Sequence, residues 1–129
     1  MKFQSNHSRD IEPIQQIPHG FRRTLGDGKK MMLIEWTFEP GAVVPLHQHP
    51  HEQTGYVVSG EMLFTIEGVE RRVPAGMGYL IPGKMPHSAR FETPTVLVDI
   101  FAPPREDYRA EGAKSSWMFK PVKAKSKKK

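Results

Sequence analysis

GAVVPLHQHPHEQTGYVVSG, residues 41–60, places three of the chain's six histidines within five positions, at His47, His49 and His51. Residues i and i+2 of an extended segment project to one side, so His47 and His49 can meet a single ion. Gly41 stands six residues before His47, Gln53 four after His49 and Gly60 seven after Gln53. A second segment, GMGYLIPGKMPH at 76–87, brings His87 behind a short apolar run and the Pro82-Gly83 turn. A histidine-rich surface turn is the plain alternative for 47–51 alone; the flanking glycines and the second segment weigh against it.

Outward from this stretch the pattern is β throughout. MMLIEWTFE (31–39) alternates, with Ile34, Trp36 and Phe38 on one face and Leu33, Glu35, Thr37 and Glu39 on the other. Pro40-Gly41 turns, AVVPLHQH extends, and TGYVV runs to Ser59-Gly60. EMLFTI sets Met62, Phe64 and Ile66 opposite Leu63 and Thr65, and Glu67-Gly68 leads into VERRV as a hairpin. GYLIPG, HSARF and TVLVDIFAP add short β runs, and only REDYRAEG after residue 105 reads as a helical turn or two. Short strands at about ten-residue spacing with turn residues between them describe an all-β, single-domain antiparallel barrel or sandwich. Residues 1–30, broken by Pro13, Pro18, Gly20, Gly26 and Gly28, are expected to add one or two edge strands, wrapping the barrel or exchanged with a second subunit.

Composition narrows the function classes. Leu, Ile, Val and Phe number 29 of 129 residues, a thin core for a folded domain. No apolar run is long enough to span a membrane, and MKFQSNHSRD lacks a secretory signal's apolar centre, which points to a cytoplasmic protein. Zero Cys excludes disulfides, thiolate metal sites and Cys nucleophiles. The net charge of +5 is local: six of 19 basic residues lie at 120–129, and residues 1–119 carry 13 basic against 14 acidic groups. That Lys-rich tail is expected to be disordered, and with no aromatic among its lysines it offers nucleic acid no stacking platform.

These residues resemble a cupin. The first motif of that family matches at Gly41, His47, His49, Gln53 and Gly60, and the second at Gly76, Pro82 and His87. Three positions depart from the pattern: Gln53 stands where Glu is usual, Lys84 where a glycine is usual, and Phe91 where the closing Asn falls. The resemblance implies a cupin double-stranded β-helix, a jelly-roll barrel, over residues 31–104, with 105–119 forming a C-terminal turn or short helix. It also implies one divalent metal ion held by His47, His49, Gln53 and His87. Glu52 is the competing donor to Gln53, and strand alternation admits only one of the two. His51, after Pro50, is expected to point to the rim as an exposed loop residue, and His7 and His19 to be surface groups. Three imidazoles and an amide leave an ion its full charge, and these donors suit Zn, Ni, Fe, Mn or Co.

A narrower resemblance joins HQHPHEQTGYVVSGEMLFTIEG and VLVDIFAPPREDY to the pectin-degradation cupins, which convert 4,5-unsaturated uronates to linear ketonised sugars. It implies catalytic or substrate-contacting roles for Asp99, Phe101 and Arg105. The residues read independently in the same direction. Asp99 shares a strand face with Leu97 and Phe101, so it is buried unless it has a polar task such as moving a proton. Arg105, stiffened by Pro103-Pro104, suits bidentate capture of a uronate carboxylate, and Phe101 would wall the sugar ring. The bland readings are a structural Asp99, a core Phe101, and an Arg105 paired at the surface with Glu106 or Asp107. Two other functions stay open: another metallocupin enzyme, such as a dioxygenase or small-acid lyase, and a non-catalytic sugar- or ligand-binding regulatory cupin. Apolar positions such as Ile34 and Trp36 are read as outward-facing, fit to bury a sheet face in a homodimer, which the resemblance also implies.

Overall fold

The structure, a computed structural model, describes residues 2–111. The Lys-rich tail and residues 112–119 lie outside the described residues. A 3-10 turn at Ser8–Asp10 precedes ten strands: β1 (Ile14–Ile17), β2 (Gly20–Asp27), β3 (Met32–Phe38), β4 (Val43–His47), β5 (Glu52–Ser59), β6 (Glu61–Ile66), β7 (Val69–Pro74), β8 (Gly78–Ile81), β9 (His87–Arg90) and β10 (Thr95–Ala102). Helix α1 (Glu106–Glu111) closes the described chain. No helix among the described residues is long and apolar enough to cross a membrane.

The strands form two antiparallel sheets, ordered β1-β2-β3-β10-β5-β8 and β4-β9-β6-β7. The apolar faces of the two sheets pack on each other, which is the jelly-roll solution to burying one side of each sheet. β2 is therefore interior, paired with β1 on one side and β3 on the other, and β1 alone of the N-terminal strands forms an edge.

β3 alternates as its sequence requires, but the apolar face turns inward. Met32, Ile34, Trp36 and Phe38 are all buried, so Ile34 and Trp36 face the core and not a partner. The reason is that β3 pairs with β10 across Trp36↔Leu97 and Ile34↔Asp99, which fixes both strands to one inner surface. Phe38 stacks on Trp36 at 5.3 Å and on Phe91 at 3.8 Å between ring centroids. Each such buried side chain contributes about 1.5–3 kcal/mol. Leu63 also departs from strict alternation, being buried beside Met62 and Phe64. The exposed apolar side chains of the larger sheet are Tyr56, Val58, Leu80 and Ile100 on β5, β8 and β10.

Candidate metal centre and proton-transfer group

His47 ends β4 and His87 opens β9, directly opposite it in the register. His49 follows in the loop, not in the strand, yet its ring comes within 5.5 Å of His47 and 5.1 Å of His87. One ligand atom from each of the three lies within 4.8 Å of the other two, and all three residues are buried. The loop is held from the second motif: the backbone N–H of Lys84 donates to the carbonyl of His49 at 2.6 Å. Lys84 adopts φ 67°, the left-handed conformation that explains why a glycine is usual there.

Backbone carbonyls settle the tautomers. Nδ1 of His47 bonds Pro45 O at 2.7 Å, Nδ1 of His87 bonds Met85 O at 2.8 Å, and Nδ1 of His49 bonds His51 O at 3.2 Å. A carbonyl only accepts, so each Nδ1 carries the proton and each Nε2 keeps its lone pair. Burial holds all three imidazoles neutral: His49 falls to about 3, and His47 and His87 are also lowered, His47 further by its neighbour His87. At neutral pH the Nε2 of His49 is an acceptor facing another acceptor, Gln53 Oε1, at 3.1 Å. Converging lone pairs with no proton between them suit a cation, and this donor set fits a divalent ion of the zinc-to-manganese group.

Gln53, on β5, is buried and turned inward, whereas Glu52 is exposed. Gln53 lines the same cavity as Asp99, and its amide favours the ionised form of that carboxylate. Asp99 lies buried on β10, and Tyr79 Oη on β8 donates to its Oδ1 at 2.6 Å. Desolvation raises Asp99 to about 6, against the pull of the Tyr79 and Gln53 donors and the Arg105 charge. His47, His87, Gln53, Tyr79, Asp99 and Phe101 line one cavity. Its floor is apolar, made by Trp36, Phe38, Phe64, Phe91 and Leu97.

Arg105 and His51 differ from expectation. Arg105 is fully buried, and its Nε and Nη2 grip Asp107 at 3.1 and 2.9 Å. The Arg–Asp pair foreseen at the surface thus forms in the interior, where Arg105 also lies over the rings of Phe101 and Tyr108 at 5.0 and 4.3 Å. His51 is not an exposed rim residue: it is buried, its ring edge-on to Phe101 at 6.3 Å. The turn after Pro50 folds it under the Phe101–Arg105 segment, a contact between distant strands that local sequence does not encode. His19 is exposed, as expected, and pairs with Glu39. The sequence pattern marks neither Tyr79 nor Tyr108 as part of the site; a glycine inside β5, Gly55, is the available signal for the first.

A family profile described as "Cupin domain" matches residues 34–101. The chain belongs to the cupin family. This cupin is 34% identical over 95 residues, 65% of its own length and 86% of the other, to the pectin degradation protein KdgF of Dickeya dadantii (strain 3937). It is 40% identical over 62 residues to a Bacillus subtilis H2HPP isomerase, covering 47% of this chain and 26% of that protein. Its fold matches the structure of KdgF from a Halomonas species with a TM-score of 0.77 and 29% identity, covering 82% of this chain and 98% of the other.

Proposed function

We propose that this cupin is a metal-dependent isomerase that converts 4,5-unsaturated uronates to linear keto sugars, with the ion held by His47, His49, Gln53 and His87. One observation carries the reading most: Gln53 faces His49 with its amide oxygen and lines the same cavity as Asp99, whose ionised form its amide favours. The histidine cluster and the proton-transfer group are thereby held in one unit. Similarity to proteins named for pectin degradation supports the substrate class.

In such a substrate the ring oxygen sits on the C4=C5 double bond. Asp99 takes the proton of the anomeric hydroxyl as C1=O forms and the bond from C1 to the ring oxygen breaks. The same carboxyl then delivers that proton to C4 as C5=O forms, so atoms and charge balance without a co-reactant. A carboxyl near 6 suits both halves of the transfer. A bound divalent ion supplies Lewis-acid polarisation of substrate oxygens. Arg105, locked on Asp107, brings a fixed positive charge toward the carboxylate, and Phe101 walls the ring. The apolar floor keeps water from the enol.

That same floor favours a second reading, a metallocupin enzyme acting on a less hydroxylated acid. The exposed row of Tyr56, Val58, Leu80 and Ile100 supports the homodimer, its occupant being the same row on a second copy; sedentation velocity reads the mass directly.

The deciding experiment incubates the metal-loaded full chain with an unsaturated uronate in D2O. Loss of the conjugated C=C ultraviolet band, with one deuteron incorporated at C4, is the expected result. No change in the substrate, with metal content verified, overturns the substrate class.

A further inference from the structure

We infer that Tyr79 is a positioning residue for Asp99 and that Gly55 exists at its position to let Tyr79 reach across a whole strand. The inference rests on the proton-transfer role proposed for Asp99. Asp99, Gly55 and Tyr79 stand directly opposite one another on β10, β5 and β8. Adjacent strands lie about 4.8 Å apart, so residues two strands away are separated by roughly twice that. A tyrosine side chain spans such a gap only over a residue with no side chain.

Gly55 supplies that gap. A Cβ at position 55 would collide with Asp99 Oδ1 on one side and with the Tyr79 Cζ and hydroxyl on the other. Its φ is not in the left-handed region, so the glycine answers to space and not to backbone conformation. A strand-interior glycine weakens a sheet, which sets a cost that the Tyr79–Asp99 contact must justify. The contact itself is short, 2.6 Å, in the range of a hydroxyl donating to a carboxylate.

Tyr79 is held for the task from three directions. Its ring stacks on Phe64 of the other sheet at 6.2 Å, its carbonyl accepts from Thr54 Oγ1 at 2.9 Å, and its strand pairs with β5. Desolvation and the Asp99 charge both push the phenol well above its ordinary pKa, so the hydroxyl remains a donor. With Oδ1 engaged by Tyr79, the carboxylate cannot turn about its Cβ–Cγ bond without losing a charge-assisted hydrogen bond. The orientation of Asp99 in the cavity is thus set from outside the histidine cluster.

The test combines kinetics with a readout that needs no substrate. Tyr79→Phe removes only the hydroxyl and should lower kcat on the order of tenfold with KM unchanged, metal content intact. Gly55→Ala keeps both groups but parts them, and should lower kcat in the same way. In the Asp99→Asn background, Tyr79→Phe should add nothing. A full-activity Tyr79→Phe variant, an effect carried by KM, or an equal loss in the Asp99→Asn background would each overturn the inference. Independently of turnover, the 13C carboxyl resonance of Asp99, assigned by its loss in Asp99→Asn, should move in Tyr79→Phe and stay put in Tyr56→Phe. If wild type leaves uronates untouched, the proposed function falls while a moved resonance still upholds the positioning; an unmoved resonance overturns the positioning whatever the substrate.

Discussion

Gln53 Oε1 lies 3.1 Å from His49 Nε2, and the same amide favours the ionised form of Asp99 in the shared cavity. A glutamate could present an oxygen to the histidines but could not donate to a neighbouring carboxylate. The amide therefore turns an oxygen toward the histidine lone pairs, where a cation fits, and keeps an N–H on the side of the carboxylate.

Gln53→Glu replaces that donor by a negative charge beside Asp99. The variant should bind a divalent ion at least as tightly, because it gains an anionic ligand. Its turnover should fall, and the acid limb of its pH–rate profile should move to higher pH, since a like charge raises Asp99 further. An unchanged profile would show that Gln53 and Asp99 do not interact in solution.

His47→Ala and His87→Ala should each lower metal affinity by at least tenfold, since three donors hold an ion less firmly than four. His51→Ala should cost far less, because the group that orients His49 is the backbone carbonyl of His51 and not its ring. Metal analysis after dialysis against a weak chelator compares the three. Stoichiometric metal in both His47→Ala and His87→Ala would remove these residues from the ligand set.

The metal-free protein should lose stability on acidification. Each buried imidazole has a folded pKa below its unfolded one, so its contribution is present above about 6.5 and is lost as pH falls toward the folded value. For His49, at about 3, the descent from 6.5 to about pH 5 removes about 2 kcal/mol. Asp99 has the opposite sign: raised from 3.8 to about 6, it recovers about 1 kcal/mol over the same descent. His47 and His87 add to the His49 side, so the imidazoles win. Thermal unfolding at a series of pH values checks this, and a Tm that rises on acidification would refute it.

Arg105→Lys keeps the charge and loses the fork that grips Asp107. Asp107→Asn leaves the guanidinium in place but loosens it. Both variants should raise KM for a carboxylate-bearing sugar, with Arg105→Lys also lowering Tm because Asp107 is left poorly paired in the interior. Kinetics beside calorimetry separates the two effects: a Tm loss with KM unchanged would make the pair purely structural.

Lys84→Gly should stabilise the protein by about 0.5–1 kcal/mol, because the lysine sits at φ 67° where a Cβ is strained. Denaturant unfolding measures it. The Lys84 N–H to His49 carbonyl bond is made by the backbone and survives the change.

What the sequence determined was periodicity and spacing. Alternation in MMLIEWTFE and TVLVDIFAP fixed which residues share a face, and the observed burial of β3 and β10 follows it residue for residue. Spacing alone paired His47 with His49, while the set with Gln53 and His87 followed from the resemblance to the cupin motifs, and His49 reaches the cluster from a loop rather than from a strand face. Alternation does not say which face is inside, however, and Ile34 and Trp36 turned inward because β3 pairs between β2 and β10. Nor does local sequence reveal contacts made two strands apart. The Tyr79–Asp99 bond spans 20 residues of chain, His51 is covered by Phe101 some 50 residues on, and the Arg105–Asp107 pair is interior because of what packs over it. Those relations depend on strand order, which arises only when the two sheets close on one another. The ligand candidates were legible in the chain; the orientation of the acid beside them belongs to the fold.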